Sequence, residues 1–450
     1  MTGPERAKKL MQKALRASQA DQTEVLLVAQ DQELTRFANN LIHQNVAETD
    51  VTLTIRAVMG KRQGVATTNN LNDEGIARAV EAAREAALRQ PEDPDFKGLP
   101  GPHAPPSAGA RAFDEEAAAF SPEERAQAVG IVCRKAKEQS LTASGAFRTG
   151  TIEYALANSL GTVAYHPTTF ADYGVTAMSE AGDSAGRAEA SGWKVADINP
   201  EAVGDEALGK AARGRNARKI EPGEYTVVVE PYVTQDLVDM LNFHGVSAQA
   251  VQEGRSWMNE RIGKPEMSPL ISIWDDGHDP AGAPLPFDFE GVPKQRVDIV
   301  KHGVIGQPVY DSYTAAKEGK TSTGHAAPIA WGRFGPLAMN MFMAPGDKAV
   351  EEMIKSTERG LYITRFWYTR LVHPRDCVIT GMTRDGLWLI ENGQLTDPVK
   401  NLRFTQSYVE ALAGVEMVGR EARLFISEFG PVVRVPALKI KAFTFTGSTV

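Results

Sequence analysis

The chain has 450 residues, 42% of them hydrophobic and 24% charged, with a formal net charge of −8. This is a globular composition, too long for one ordinary domain, which excludes a disordered or fibrous chain. The acidic balance argues against direct nucleic-acid contact, which calls for a basic surplus, and no run of about 18 apolar residues is available to span a membrane.

Residues 4–19 read as an amphipathic helix, with Ala7, Leu10, Met11, Ala14 and Leu15 on one face. The N-terminal stretch from Met1 to Lys9 has no apolar core, so it reads as no signal peptide, and a cytoplasmic protein is expected. Short strands follow at 23–29, 33–37, 46–55 and 62–67, and Asn72 and Asp73 cap a helix that reaches Arg89. His43, between two of these strands, reads as a hydrogen-bonded structural residue. Residues 91–119 form a Pro-rich connector. The order then repeats. Ser121-Pro-Glu-Glu124 is a capping box with proline at the first helical position. Its helix carries Ala126, Val129, Cys133 and Ala136 on one face. Strands follow at 142–149, 152–156, 162–166 and 172–179, and a last helix runs from Asn199-Pro200 to about Arg215. Phe37-Ala-Asn-Asn40 is echoed by Leu156-Ala-Asn-Ser159. These features predict two αββββα-like repeats.

Glu221-Pro-Gly223 marks a boundary, and the apolar run after it reads as a buried strand. Helices are expected near 233–243, 311–318, 346–357 and 405–413. Alternating stretches at 296–300, 386–390 and 432–441 predict hairpins in a barrel or large sheet. The fold class expected is α+β. An N-terminal domain spans residues 1–220, with repeat halves at about 1–90 and 120–216, and a β-rich C-terminal domain spans 221–450.

Several features mimic chemistry. Gly319-Lys-Thr-Ser322 looks like a P-loop tail, but Thr314 stands where that motif needs glycine. Asp275, Asp276, His278 and Asp279 could bind metal, yet their spacing is that of turns. Arg213, Arg215, Arg218 and Lys219 read as a solvated helix end. The two cysteines, Cys133 and Cys377, make no Cys-x-x-Cys pair.

Other segments, taken in order, are similar to one family. Arg36-Phe-Ala-Asn-Asn-Leu-Ile-His-Gln-Asn45, Arg218-Lys-Ile220, Ser268-Pro-Leu270 with Asp275-Asp-Gly277, and Phe287-Asp-Phe-Glu-Gly-Val292 with Gly303-Val304 fall along the chain. Ser322-Thr-Gly-His-Ala326 and Leu389-Ile-Glu-Asn-Gly393 with Pro398-Val399 complete the set. Together they resemble the TldD/PmbA metalloproteases, in the PmbA/TldE branch. In catalytic members the stretch corresponding to residues 239–244 reads His-Glu-x-x-x-His. The resemblance implies that its histidines hold Zn²⁺, its Glu is the general base, and a late cysteine is the third ligand. Here Asp239 takes the first His position, Met240 the Glu position, and only His244 is retained. Residues 429–437, where the cysteine would fall, hold none. A thioether is too weak an acceptor to take a proton from water, and a zinc site needs at least three protein ligands. No catalytic residue and no metal are therefore expected in this chain.

The resemblance implies a subunit of a TldD/TldE-type peptidase for unfolded or short peptides, with the zinc carried by a TldD-like partner. His244, Ser322 and His325 would then face the peptide. Two alternatives stay open. One is a metal-free homodimeric peptide-binding protein. The other is a hydrolase with a relocated metal site built from His244, Asp239 and His325. A role in DNA topology, a label the family has long carried, is opposed by the acidic balance.

Overall fold

Two meanders laid edge to edge organise the first half of the chain. The computed structural model describes residues 1–103, 112–329, 335–426 and 430–448. Helix α1 (Pro4–Ala17) opens on proline and buries Ala7, Leu10, Met11 and Ala14. Strands β1 (Gln22–Ala38), β2 (Leu41–Met59) and β3 (Arg62–Thr68) follow, covered by α2 (Asp73–Arg89), whose first turn is capped by Asn72. After α3 (Glu115–Ala119) the order returns as α4 (Pro122–Glu138), β4 (Leu141–Asn158), β5 (Val163–Ser179), β6 (Ala185–Gly192) and α5 (Pro200–Arg213). The Ser121–Glu124 capping box forms, and Cys133 is buried on the apolar stripe of α4. β1 and β4 pair antiparallel at the centre, giving the strand order β3-β2-β1-β4-β5-β6. The two repeats are thus related by a local two-fold axis. The echoed tetrapeptides mark the corresponding hairpin turns, after β1 and after β4.

One pair of glycines shows how closely the repeats correspond. A Cβ on Gly64 of β3 would lie 2.2 Å from the Ala83 carbonyl oxygen of α2, and one on Gly186 of β6 would lie 2.2 Å from that of Ala207 in α5. Each helix backbone therefore sits directly on a strand, at a site only glycine admits.

Each repeat has three strands, two of them long, not the four short ones the sequence predicts. Gln30-Asp31-Gln32 reads as a turn, yet β1 runs straight through it, paired with β2 on one side and β4 on the other. The polar side chains are absorbed locally: Asp31 accepts from Thr49 Oγ1 at 2.7 Å and from the N-terminal ammonium. Likewise β4 and β5 each fuse two expected strands. The Ala/Gly/Ser-rich β6 and the short α3, inside the expected connector, carry no periodic signal. Residues 104–111 of that connector lie outside the described residues. His43, expected to be hydrogen-bonded, sits exposed on β2.

The second half opens with β7 (Glu224–Val229), α6 (Pro231–Leu241), a π-helical turn (Asn242–Val246) and α7 (Ala248–Gln252). β8 (Ile273–Asp275), β9 (Val297–Lys301), β10 (Val304–Ile305), α8 (Ser312–Lys317) and β11 (Asn340–Met343) follow. Next come α9 (Val350–Lys355), β12 (Arg359–His373), β13 (Val378–Glu391), β14 (Gln394–Pro398) and β15 (Leu402–Ser407). The last elements are α10 (Tyr408–Ala413), β16 (Val415–Ile426) and β17 (Val432–Ser448). The sheet order is β10-β9-β8-β11-β17-β15-β13-β12-β7, and β17 also pairs with β7. That extra pairing closes β17, β15, β13, β12 and β7 into a barrel. Phe366, Phe404, Phe443 and Phe445 pack together in its core. The expected helix at 405–413 is instead the end of β15 followed by α10. Gly319, in the P-loop mimic, has φ 65° and ends α8, so it does not follow a strand.

Buried charges join the halves. Arg56 of β2 donates to Glu24 at 2.8 Å and to Glu290 at 3.2 Å. Lys210 of α5 donates to Glu230 at 2.6 Å and to Glu206 at 2.7 Å, while Tyr362 donates to Glu230 at 2.7 Å. Arg423 of β16 completes this cluster on Glu206 at 2.8 Å. The expected solvated basic run is partly tied down too: Arg218 pairs with Asp397 at 3.0 Å, and Arg215 donates to the Gln139 and Ser140 carbonyls. Removing one partner of a buried pair costs more than the pair contributes, because the other charge is stranded. Lys210→Ala should therefore cost about 3 kcal/mol in urea unfolding, and Lys210→Met with Glu230→Gln should recover most of it. A loss of Lys210 that costs less than about 1 kcal/mol, as for an exposed pair, would contradict this account.

Candidate functional site

Helix α6 and the π segment after it carry the positions singled out by the sequence. The helix starts at Pro231 and lies against the barrel, burying Val233, Leu237, Val238 and Leu241. Its last turn widens into the π segment because neighbours capture its carbonyls. Trp257 Nε1 donates to the Leu241 carbonyl at 2.8 Å, and Ser256 Oγ to that of Gly245 at 2.6 Å. A Cβ on Gly245 would lie 2.0 Å from the Trp257 ring, so glycine is required under the indole. Such single π turns are frequent at functional sites. His244 lies within this one.

The three motif positions have different surroundings. Asp239 is buried, with Gln235 Nε2 3.5 Å from its Oδ2. Met240 is half-buried and packs against the hydrophobic core. His244 is half-buried, and burial together with Arg255 holds its pKa below the ordinary value, so its ring is neutral at neutral pH. Among the described residues, no three His, Cys, Asp or Glu side chains converge as a metal site would require. Residue 429, the first of the stretch where the late cysteine would fall, lies outside the described residues. One imidazole and one carboxylate do not fit a catalytic zinc.

The loop at 322–326 is closed rather than open to a groove. Ser322 Oγ donates to the Tyr310 carbonyl at 3.1 Å and accepts from Gly324 N at 3.1 Å. His325 is fully buried, with Nε2 2.8 Å from Asp275 Oδ1 and Nδ1 2.9 Å from Thr323 Oγ1. Both ring nitrogens are thus committed, which removes His325 from a relocated metal site and from direct peptide contact. Burial and the nearby Lys294 push its pKa below the ordinary range. The neutral ring therefore donates Nε2–H to the carboxylate and accepts from Thr323. Burial alone would raise Asp275, but Lys294, His325 and the Asn340 amide hold it below the ordinary carboxylate value. The turn reading holds for its neighbours: Asp276 Oδ1 accepts from His278 N at 3.0 Å, and Asp279 Oδ1 from Ala281 N at 2.9 Å.

The loop and the π segment nonetheless share one hydrogen-bonded frame. Val309 N donates to the Val246 carbonyl at 2.9 Å, and the next residue, Tyr310, holds Ser322 and Thr323. Asn242 Nδ2 donates to the Ala338 carbonyl at 2.9 Å, and Leu337 N to that of His325 at 2.9 Å. His244 thus lies in a segment that hydrogen bonds of Asn242 and Val246 tie to the loop holding the buried His325–Asp275 pair. Sequence reading missed that pairing, since its partners lie on separate elements and Asp275-Asp-Gly277 reads as a turn. It also missed Asp236, one turn before Asp239. The Asp236 carboxyl accepts from Tyr408 OH at 2.6 Å and Thr369 Oγ1 at 2.8 Å.

Models of all three PmbA/TldA metallopeptidase domains match this chain: domain 1 over residues 23–87, the central domain over 105–215 and the C-terminal domain over 222–447. The chain belongs to the PmbA/TldD metallopeptidase family. It is 25% identical over 405 residues to metalloprotease PmbA of Escherichia coli O157:H7, covering 87% of this chain and 86% of that protein. The match to a metalloprotease TldD homolog of Buchnera aphidicola is 27% identical over 184 residues, spanning 40% of this chain and only 38% of that relative. The fold is that of TldE from Thermococcus kodakarensis, with a TM-score of 0.87 at 18% identity, covering 98% of this chain and 99% of that one. Among the described residues no helix is long and apolar enough to cross a membrane.

Burial pushes Asp236 up to about 6, against the opposing hydrogen bonds from Tyr408 and Thr369. A carboxyl raised on folding stabilises the fold most below its unfolded value, and that contribution is lost as pH rises through the folded one. Raising pH from about 4 to about 7 should therefore cost up to about 3 kcal/mol at this group. Asp236→Asn should flatten that slope, read from urea midpoints across the same range. An unchanged slope would mean that the carboxyl titrates as if exposed.

Proposed function

We propose that this chain is the metal-free, non-catalytic subunit of a cytoplasmic TldD/TldE-type peptidase that degrades unfolded or short peptides. Its partner is a TldD-like chain that carries the zinc and the general base. The observation that carries this reading is Met240. By the family resemblance it stands at the position of the base; it packs against the core and cannot accept a proton. Asp239 and His244 supply at most two of the three ligands that a zinc ion needs. Family membership supports the substrate class, and the hydrogen-bonded frame around His244 supports a wall-forming role. A neutral, half-buried imidazole there can hydrogen-bond an extended peptide without competing for its protons.

Protein purified without chelator should hold far less than one equivalent of zinc by elemental analysis. Near one equivalent, lost on His244→Ala, would overturn the metal-free assignment. Asp239→His with Met240→Glu should bind zinc weakly at best and show no peptidase turnover, because a third ligand is still missing. Mixing this chain with a zinc-bearing relative should yield peptidase activity on an unstructured peptide that neither shows alone. A relative equally active by itself would remove the subunit role.

A further inference from the structure

Strands β12 and β13 break two rules of a regular sheet at one place. Arg365 stands directly opposite Arg384, and like charges so placed destabilise a strand pair. Each strand also carries a bulge there. On β12, Tyr368 and Thr369 together oppose Gly381; on β13, Asp385 and Gly386 together oppose Thr364. Tyr368 and Asp385 take φ of 58° and 61°. A bulky residue rarely adopts that left-handed backbone, and such strain gathers at ligand clamps and active sites.

The β12 bulge interrupts the alternation of its strand. Phe366 and Thr369 are buried, and the two rings between them, Trp367 and Tyr368, are 40% and 66% exposed. A regular strand would turn one of these rings to the other face. Three guanidiniums surround them. Arg365 Cζ and Arg384 Cζ lie 4.6 and 5.1 Å from the centre of the Trp367 ring, and Arg370 Cζ lies 4.3 Å from that of Tyr368. Two of the three share one carboxylate: Asp385 is 3.0 Å from Arg365 and 3.7 Å from Arg384. Arg370 donates to the Thr369 carbonyl at 2.8 Å, and among the described residues no carboxylate pairs with it. Positive charge is thus in surplus here, on a chain whose net charge is −8.

We propose that this double bulge binds peptide carboxylates, and so gives the peptidase a preference for acidic or C-terminal segments. The inference rests on the function proposed above and adds the substrate preference of the same site. Charge complementarity chooses the ligand. A guanidinium stacked on a ring still presents its N–H edge, which matches a planar carboxylate bidentately. Single-stranded nucleic acid is a poorer occupant. Its bases stack on open ring faces, and guanidiniums already lie over both rings. The bulge also abuts the site helix, since Thr369 Oγ1 donates to Asp236 of α6 at 2.8 Å.

The test is fluorescence anisotropy of a labelled, unstructured peptide rich in glutamate, titrated with the full chain. Changing its glutamates to glutamine, or amidating its C-terminus, identifies which carboxylate is read. One of the two changes should weaken binding about tenfold or more. Arg370→Gln should weaken the unmodified peptide by a similar factor, whereas Arg89→Gln, exposed on α2, should not. Tyr368→Gly removes a ring and relieves the left-handed backbone, so it should weaken binding with the urea midpoint unchanged or raised. Binding indifferent to both peptide changes, to Arg370→Gln or to Tyr368→Gly would overturn the proposal. So would displacement of the peptide by a single-stranded oligodeoxynucleotide at lower concentration than by unlabelled peptide. Mixing with a zinc-bearing relative separates this inference from the subunit reading. Turnover that ignores peptide carboxylates and Arg370→Gln would remove the preference and leave the subunit role. Carboxylate-dependent binding with no turnover on mixing would support the bulge site and remove the subunit role.

Discussion

Lys210 is the point on which the placement of the site helix rests. It reaches from α5, in the first half of the chain, to Glu230, the residue that precedes α6 in the second. Glu230 makes no side-chain bond to the first turn of its own helix, because its carboxylate is already taken by Lys210 and Tyr362. The helix entry is therefore set by tertiary charge pairing rather than by local capping. Such pairs contribute little net stability compared with apolar packing, but breaking one is costly. Their effect is to admit a single arrangement of the halves, which holds α6 at a fixed angle to the barrel.

Much of the architecture was legible because it is local. The Ser121–Glu124 box, the Asn72 cap and the apolar stripe containing Cys133 are short-range signals, and each appears in the fold as the sequence predicts. Strand lengths were not legible. The polar centre of β1 looks like a turn in isolation and continues only because two neighbours supply its hydrogen bonds. β6 was invisible because its small residues are there for close helix contact, as at Gly186, and not for hydrophobic alternation.

The site divides in the same way. The resemblance puts Met240 at the position of a general base, and its unsuitability there can be read from one residue, since no environment makes a thioether basic. His325 could not be read so. A histidine among glycines suggests an open loop, whereas Asp275 draws it into a fully buried pair. Lys294 beside them has its ammonium 4.0 Å from Asp275 Oδ1, so the pocket holds both signs of charge at low dielectric. Chemistry that looks available along the chain is spent there on rigidity.

The closure of the barrel has a consequence for how the protein is made. Val229 must wait for Leu438, and Tyr225 for Phe443, before β7 has both neighbours. The first sheet, assembled from residues 22–192, needs no such delay. On the ribosome the early sheet can form while β7 and the apolar face of α6 remain uncovered. Pairings between such distant segments form slowly, and partly folded chains of this kind expose aggregation-prone surface. The second half is therefore the part that needs protection during synthesis, and a lesion in β17 should show itself as low yield of folded protein before it shows as a changed site.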